Sequence, residues 1–306
     1  MRIFLTGANG FIGSAVALAL IAAGHRVRGL VRSQAKAALI APYGIEPVVG
    51  ALDDAALLQE EARSADAVIN AASSDHGGAV EAFITALSGS GKTFIHSSGS
   101  SIVADLAIGE PSARIFDEAT AVTPLPDKAA RVAIDRQVLA APGLRAMVVC
   151  NSMIYGDALG PPAQSVQIPA LVRQAKASGI VRYIGRGLNR WSNVHIADVA
   201  ALYVLALANA RPGTFMYVEN GEEALGQIAG AIARRLDLGA AQSWSADEAI
   251  AAWGRNMAMF SLGSNSRVRG QAALELGWSP TQHSIVHWIA NEMTAPARDG
   301  SGVRVI

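Results

Sequence analysis

The sequence predicts an α/β fold: a doubly wound parallel sheet with a smaller, mostly helical C-terminal lobe. Three observations predict it. Residues 1–23 read as strand, glycine turn and helix. Short apolar runs then alternate with helical stretches six times up to Cys150, which is the pattern of strands joined by crossover helices. After Gly156 the alternation stops, and discontinuous, mainly helical pieces follow. The expected division is 1–156 for the sheet domain, with a segment around 190–220 returning to it, and 157–306 for the lobe and tail.

The first unit sets the chemistry. Residues 1–5 are an apolar run, the turn TGANGFIG occupies 6–13, and the helix 14–23 stops at Gly24. Gly7, Gly10 and Gly13 let the backbone turn sharply, approach a ligand closely and pack helix on strand. N–H groups at the start of such a helix point at a phosphate, and the helix dipole favours its charge. A bare glycine triplet is weak; one set between strand and helix and followed by another strand predicts a dinucleotide site.

Composition narrows the partners. Formal net charge is zero over 306 residues, so no broad basic field exists for nucleic acid or an anionic membrane. Neither is expected as a partner; a small-molecule substrate is, in a monomer or homodimer. Cys150 is the sole cysteine, which rules out an intrachain disulfide and fits a reducing, cytoplasmic setting. The apolar stretch 11–23 follows the glycine turn and reads as a core helix, not a signal segment. The stretch 199–208 is too short to span a bilayer.

In order, 25–31 is a second strand closed by Arg32-Ser33, and 34–41 a helix. The end of this strand faces the adenosine ribose in dinucleotide folds, where an acidic residue selects the free 2′-hydroxyl and a basic one the 2′-phosphate. Arg32 stands there, and no Asp or Glu occurs between Gly24 and Ile45, so NADP(H) is expected over NAD(H). Strand 45–49 leads to Asp53-Asp54, which suit a helix start, and helix 55–63. Strand 66–70 runs into the small residues Ala71-Ala72. Helix 80–87, strand 93–96 with a serine-rich end at 97–101, helix 129–140 and strand 145–150 complete the alternation. Beyond it, helices are expected at 168–178, 198–209, 225–236, 246–253 and 284–293, strands at 181–184 and 214–218, and a loose tail at 294–306. His283 and His287 have a metal-compatible spacing, but no third ligand accompanies them, so no metal site is expected.

These residues together resemble the extended or atypical short-chain dehydrogenase/reductase superfamily, in its epimerase/dehydratase-like branch. The motifs are TGANGFIG at 6–13, FIHSSGSS at 94–101, NSMIYG at 151–156, WSNVHIADVA at 191–200 and RVRGQAALELGWSP at 267–280. The resemblance implies a Rossmann domain that binds NAD(P), a C-terminal substrate lobe, and hydride-transfer chemistry. By it, Gly7, Gly10, Phe11 and Ile12 would line the pyrophosphate, and Leu52, Ala71 and Ala72 would flank adenosine and ribose. Asn151, Ser152 and Met153 would lie against the nicotinamide.

The superfamily's Tyr-x-x-x-Lys pair is missing. Aligned on the run 133–139, Arg131 takes the Lys position and Asp127 the Tyr position. Arg131 can still hold a ribose but cannot shuttle a proton. Asp127 is a base candidate or a helix ion-pair partner, and Lys128 is expected to point elsewhere. Ser101 is the hydroxyl best aligned with the superfamily's catalytic Ser/Thr, with Ser98 beside it and Gly99 in one of the usual slots. His96, Tyr155 and Tyr183 are further acids to locate. The leading function is an NADP(H)-dependent oxidoreductase for a small carbonyl or alcohol. The alternatives are an epimerase, dehydratase or lyase whose cofactor is not consumed, and a non-catalytic NADP-binding sensor.

Overall fold

A computed structural model of the chain describes residues 1–294. The first half alternates as β1 (Arg2–Thr6), α1 (Phe11–Ala22), β2 (Arg26–Val31), α2 (Gln34–Ile40), β3 (Glu46–Val49), α3 (Ala55–Ser64), β4 (Ala67–Asn70), α4 (Gly77–Leu87), β5 (Thr93–Gly99), α5 (Pro126–Leu139) and β6 (Arg145–Asn151). There follow β7 (Met153–Tyr155), α6 (Gln167–Ser178), β8 (Arg182–Ile184), β9 (Arg190–His195), α7 (Ile196–Asn209), β10 (Thr214–Val218), β11 (Glu222–Ala224) and α8 (Leu225–Arg235). The last elements are β12 (Gln242–Trp244), α9 (Ala246–Met257), α10 (Ala272–Glu275) and α11 (Ile285–Asn291).

Seven parallel strands form the central sheet in the order β10-β6-β5-β4-β1-β2-β3. The order reverses between β1 and β4, the switch point where such sheets open a crevice for ligands. Strand alternation divides the core. Ile3, Leu5, Ile69, Ile95 and Met147 face one side, where α1 and α7 pack. Phe4, Val68, Phe94 and Val148 face the other, against α3, α4 and α5. Both faces are covered, which is why these strands read as continuous apolar runs. Cys150 lies in β6 with no exposed surface.

A third apolar cluster belongs to the lobe and gathers Met153, Ile168, Leu171, Trp191, Ile228, Ile232 and Trp288. Two small sheets, β11-β9-β7 and β12-β8, frame it. Of the lobe's strands, β8 was expected, as 181–184, whereas β7, β9, β11 and β12 were not. Three-residue strands show too little alternation to register. In β9 the buried Ser192 and Asn193 break the apolar pattern; the Ser192 hydroxyl is instead satisfied by the backbone of Val268.

Helix 246–253 was expected to stop at Trp253, and α9 does kink there. Gly254 adopts φ 75°, the chain re-enters a helix to Met257, and a π-helical turn covers Ala258–Leu262. Among the described residues no helix is long and apolar enough to cross a membrane. The expected tail lies, from residue 295 on, outside the described residues.

Candidate active site

A cleft of about 650 Å³ opens at the carboxyl ends of the sheet strands. Its lining comes from the glycine turn (Gly10, Phe11, Ile12), the end of β4 (Ala71, Ala72), the end of β5 (98–101), α5 (Lys128, Arg131) and the exit of β6 (Asn151, Ser152, Ile154). The lobe closes it with Trp191, Trp253, Asn256, Met257 and Phe260.

The glycine turn is built tightly. Gly7 has φ 73°, and a Cβ there would stand 2.7 Å from the Ala71 carbonyl oxygen. A Cβ on Gly13 would stand 2.1 Å from the Gly7 oxygen, so α1 sits on β1 only with glycine there. Gly7 is therefore a support beneath the cleft and not part of its lining. Gly10 is the N-cap of α1 and supplies no side-chain cap, and the first turn carries no acidic residue. The leading N–H groups are left to an outside anion, which fits a pyrophosphate.

Arg131 is the most constrained side chain of the wall. Its Nε donates to Asp75 Oδ1 at 2.8 Å, its Nη2 to Asp75 Oδ2 at 2.5 Å, and its Nη1 to Ser101 Oγ at 3.0 Å. Those hydrogen bonds hold the Asp75 carboxyl below the usual range. Sequence reasoning paired Arg131 with Asp127 and overlooked Asp75, which lies 56 residues away. The structure joins Ser101 and Arg131, but the expected place of Asp127 is corrected. Asp127 lies in the first turn of α5, exposed and outside the cleft lining, where the helix dipole suits a carboxylate.

Lys128, expected to point away, lines the cleft and is 6% exposed. Its Nζ donates to Asn256 Oδ1 at 3.1 Å and lies 5.1 Å from the centre of the Phe260 ring. Asp127 and Lys128 are both neighbours of Arg131 on α5, four and three residues away; Lys128 is the one covered by the α9 side, through Asn256 and Phe260.

The other serines at the end of β5 are committed elsewhere. Ser97 bonds Tyr203, Ser98 donates to Asp135 Oδ2 at 2.7 Å, and Ser100 meets Ser266. At the β6 exit, Asn151 Oδ1 and Ser152 Oγ are buried without partners, and both residues line the cleft. That leaves polar atoms for a carboxamide or ribose. Met153 is corrected: alternation turns Ser152 and Ile154 to the cleft and Met153 into the lobe's apolar cluster. Leu52 packs on the sheet's core, and Arg32 is exposed at the end of β2; neither lines the cleft. Arg32 holds no ion pair with a described residue, whereas Arg28 is engaged by Glu61 and Glu46.

His96 is wholly buried below the cleft, with Nε2 3.7 Å from Asp135 Oδ1 and Nδ1 3.2 Å from Asn70. Burial drives His96 down to about 4 and Asp135 up to about 7, so neither favours its charge. Tyr155 bonds the Gln282 carbonyl and packs on His195 and Trp288. Tyr183 lines a separate hollow of about 840 Å³ with Arg186, Arg190 and Arg234, remote from the glycine turn. His283 precedes α11, whose N-cap is Ser284, so it shares no helix face with His287. Among the described residues no three His, Cys, Asp or Glu side chains are grouped to hold a metal.

Comparison with known proteins gives the family and supports the fold. The sequence profile of the NAD dependent epimerase/dehydratase family matches residues 3–217. The oxidase ucsJ of Acremonium sp is 33% identical, over 93% of this chain and 94% of its own. A 4-hydroxy-2-methyl-3-oxo-4-farnesyl-3,4-dihydroquinoline-1-oxide ketoreductase of Stigmatella aurantiaca is 26% identical, over 72% and 69%. The dTDP-glucose 4,6-dehydratase DesIV of Streptomyces venezuelae, solved with NAD bound, superposes with a TM-score of 0.74 at 21% identity, covering 95% of each chain. The chain belongs to the NAD dependent epimerase/dehydratase family.

Proposed function

We propose that this family member is an NADP(H)-dependent oxidoreductase that reduces a small carbonyl compound, or oxidises the corresponding alcohol. The observation that carries the reading is one cleft joining an uncapped, glycine-built helix start to the Ser101–Arg131 pair and to lobe aromatics. The cofactor would supply or accept a hydride. Gly10, Phe11 and Ile12 would hold its pyrophosphate, Arg131 its ribose, and Asn151 and Ser152 its nicotinamide end. Ser101 Oγ, fixed by Arg131, would hydrogen-bond the substrate oxygen.

The ketoreductase and oxidase relatives support redox chemistry over a cofactor that is merely recycled. The exposed position of Asp127, away from the cleft lining, speaks against it as the base on which the epimerase or lyase alternative leaned. Arg32, exposed at the end of β2 and without an ion pair among the described residues, supports a choice of NADP(H) over NAD(H). A thermal-shift titration tests this. NADPH should stabilise the protein more than NADH, and Arg32→Ala should level the two; equal stabilisation of the wild type by both would sink the preference.

A further inference from the structure

With the usual tyrosine absent, the cleft needs another group able to release a proton. Arg131 does not serve, because its guanidinium stays charged and is already tied to Asp75 and Ser101. Asp127 is outside the cleft, and His96 is sealed beneath it. Lys128 is different. Its ammonium is enclosed where α5 meets the kinked α9 segment, and Asn256 Oδ1 takes one of its three N–H donors. The Phe260 ring steadies the charge from one side. The other donors are left for a ligand entering the cleft that Lys128 lines.

We propose that Lys128 is the proton donor to the substrate oxygen; this rests on the carbonyl reduction argued above. In that step a bound NADPH would supply the hydride for the new C–H bond at the carbonyl carbon. The C=O π pair moves to oxygen, which takes a proton from Lys128 Nζ. The lysine is left as a neutral amine and regains its proton from solvent, so one proton is taken up overall; an alcohol is the product, and the cofactor would leave as NADP⁺. Asn256 aims the amine and Ser101 shares the oxygen. Burial, and then the nearby Arg131 charge, lower the Lys128 pKa from the usual lysine range, while Asp75 and Asp127 oppose them. Arg255, over the same Phe260 ring, is the further cation on the α9 side. The direction suits a donor, since a weaker hold on the proton eases its transfer.

The test uses NADPH and 1-phenyl-1,2-propanedione, an aromatic diketone suited to walls of Trp191, Trp253 and Phe260. Lys128→Met should lower kcat by about 100-fold or more, with the NADPH thermal shift kept. Lys128→Arg keeps the charge, the bond to Asn256 and the ring contact but releases no proton at neutral pH. It should be as slow; recovery of the wild-type rate in this variant, or no loss in Lys128→Met, overturns the proposal while leaving carbonyl reduction standing. A wild type that binds NADPH but leaves the diketone unreduced overturns reduction and donor together. Independently, acetic anhydride labelling across pH, followed by mass spectrometry, compares Lys128 with Lys36, Lys92 and Lys176, the other three lysines. Lys128 should label with a lower midpoint and be protected by NADPH plus diketone; an ordinary midpoint without protection overturns its role.

Discussion

Arg131 grips Asp75 through two parallel hydrogen bonds, joining the centre of α5 to the loop before α4 across one side of the cleft. Such two-pronged pairs fix direction as well as distance. Here the direction fixed is that of the third prong, Nη1 toward Ser101. Asp75 is 61% exposed at its side chain, so solvent screens the pair and it adds at most about 1 kcal/mol to stability. Asp75→Ala should leave chemical denaturation nearly unchanged yet weaken NADPH stabilisation several-fold in apparent Kd. A large loss of stability with intact NADPH binding would contradict a positioning role.

Ser101 and Asp127 should separate cleanly. Ser101→Ala removes a hydroxyl held in the cleft and should slow reduction at least 10-fold. Asp127→Asn alters an exposed first-turn residue and should change kcat less than 2-fold, costing about 0.5 kcal/mol of helix-dipole stabilisation. Steady-state rates of the two variants, read beside the wild type, decide the matter.

Gly13→Ala should be among the most damaging small changes. The added methyl meets the backbone oxygen of Gly7 at 2.1 Å, and neither partner is a side chain that can swing aside. Overpacking of this kind costs about 1–3 kcal/mol, and displacement of α1 should also abolish the NADPH shift. Urea denaturation and the same titration measure both losses.

Asp135 gives a pH signature. Its folded-state pKa is raised to about 7, so the native state prefers the protonated form. The sign follows: its contribution is best below the usual aspartate range, declines as pH rises toward 7, and is a constant cost above. His96, lowered to about 4, acts in the opposite sense, adding stability as pH rises from about 4 to 6.5. Asp135→Asn removes the first effect and keeps an acceptor for Ser98. Relative to wild type it should gain stability at pH 8, on the order of 4 kcal/mol for a rise from 3.8 to about 7 at about 1.4 kcal/mol per pH unit, and little at pH 4. A pH-independent difference in urea midpoints would refute this.

The central sheet was legible because its strands are covered on both faces and its crossovers are regular. The glycine turn was legible because backbone geometry permits few residues there. Most small strands of the lobe were not: β7, β11 and β12 have three residues and no period, and the buried Ser192 and Asn193 of β9 mimic a loop, while β8 was placed, at 181–184. At the cleft, Ser101 and Arg131, which the structure brings together, could be named from motifs, but Asp75 could not, because its partner is distant along the chain. The sequence also reversed Asp127 and Lys128. Counting positions along α5 ranks neighbours on a helix, but which one is enclosed depends on the α9 segment that covers it. Met153 failed for a simpler reason: consecutive strand residues face opposite ways.

Cys150 sits in the interior of the sheet, and burial raises its thiol well above the usual range. A thiol reagent therefore reaches the protein's sole sulfhydryl only when the packing around β6 opens. Each modified molecule records one such opening, so the labelling rate is a clock for excursions from the native state, requiring no engineered probe. A nucleotide that clamps the ends of β1, β4 and β6 should slow that clock, turning affinity into a kinetic quantity readable from a single sulfur atom.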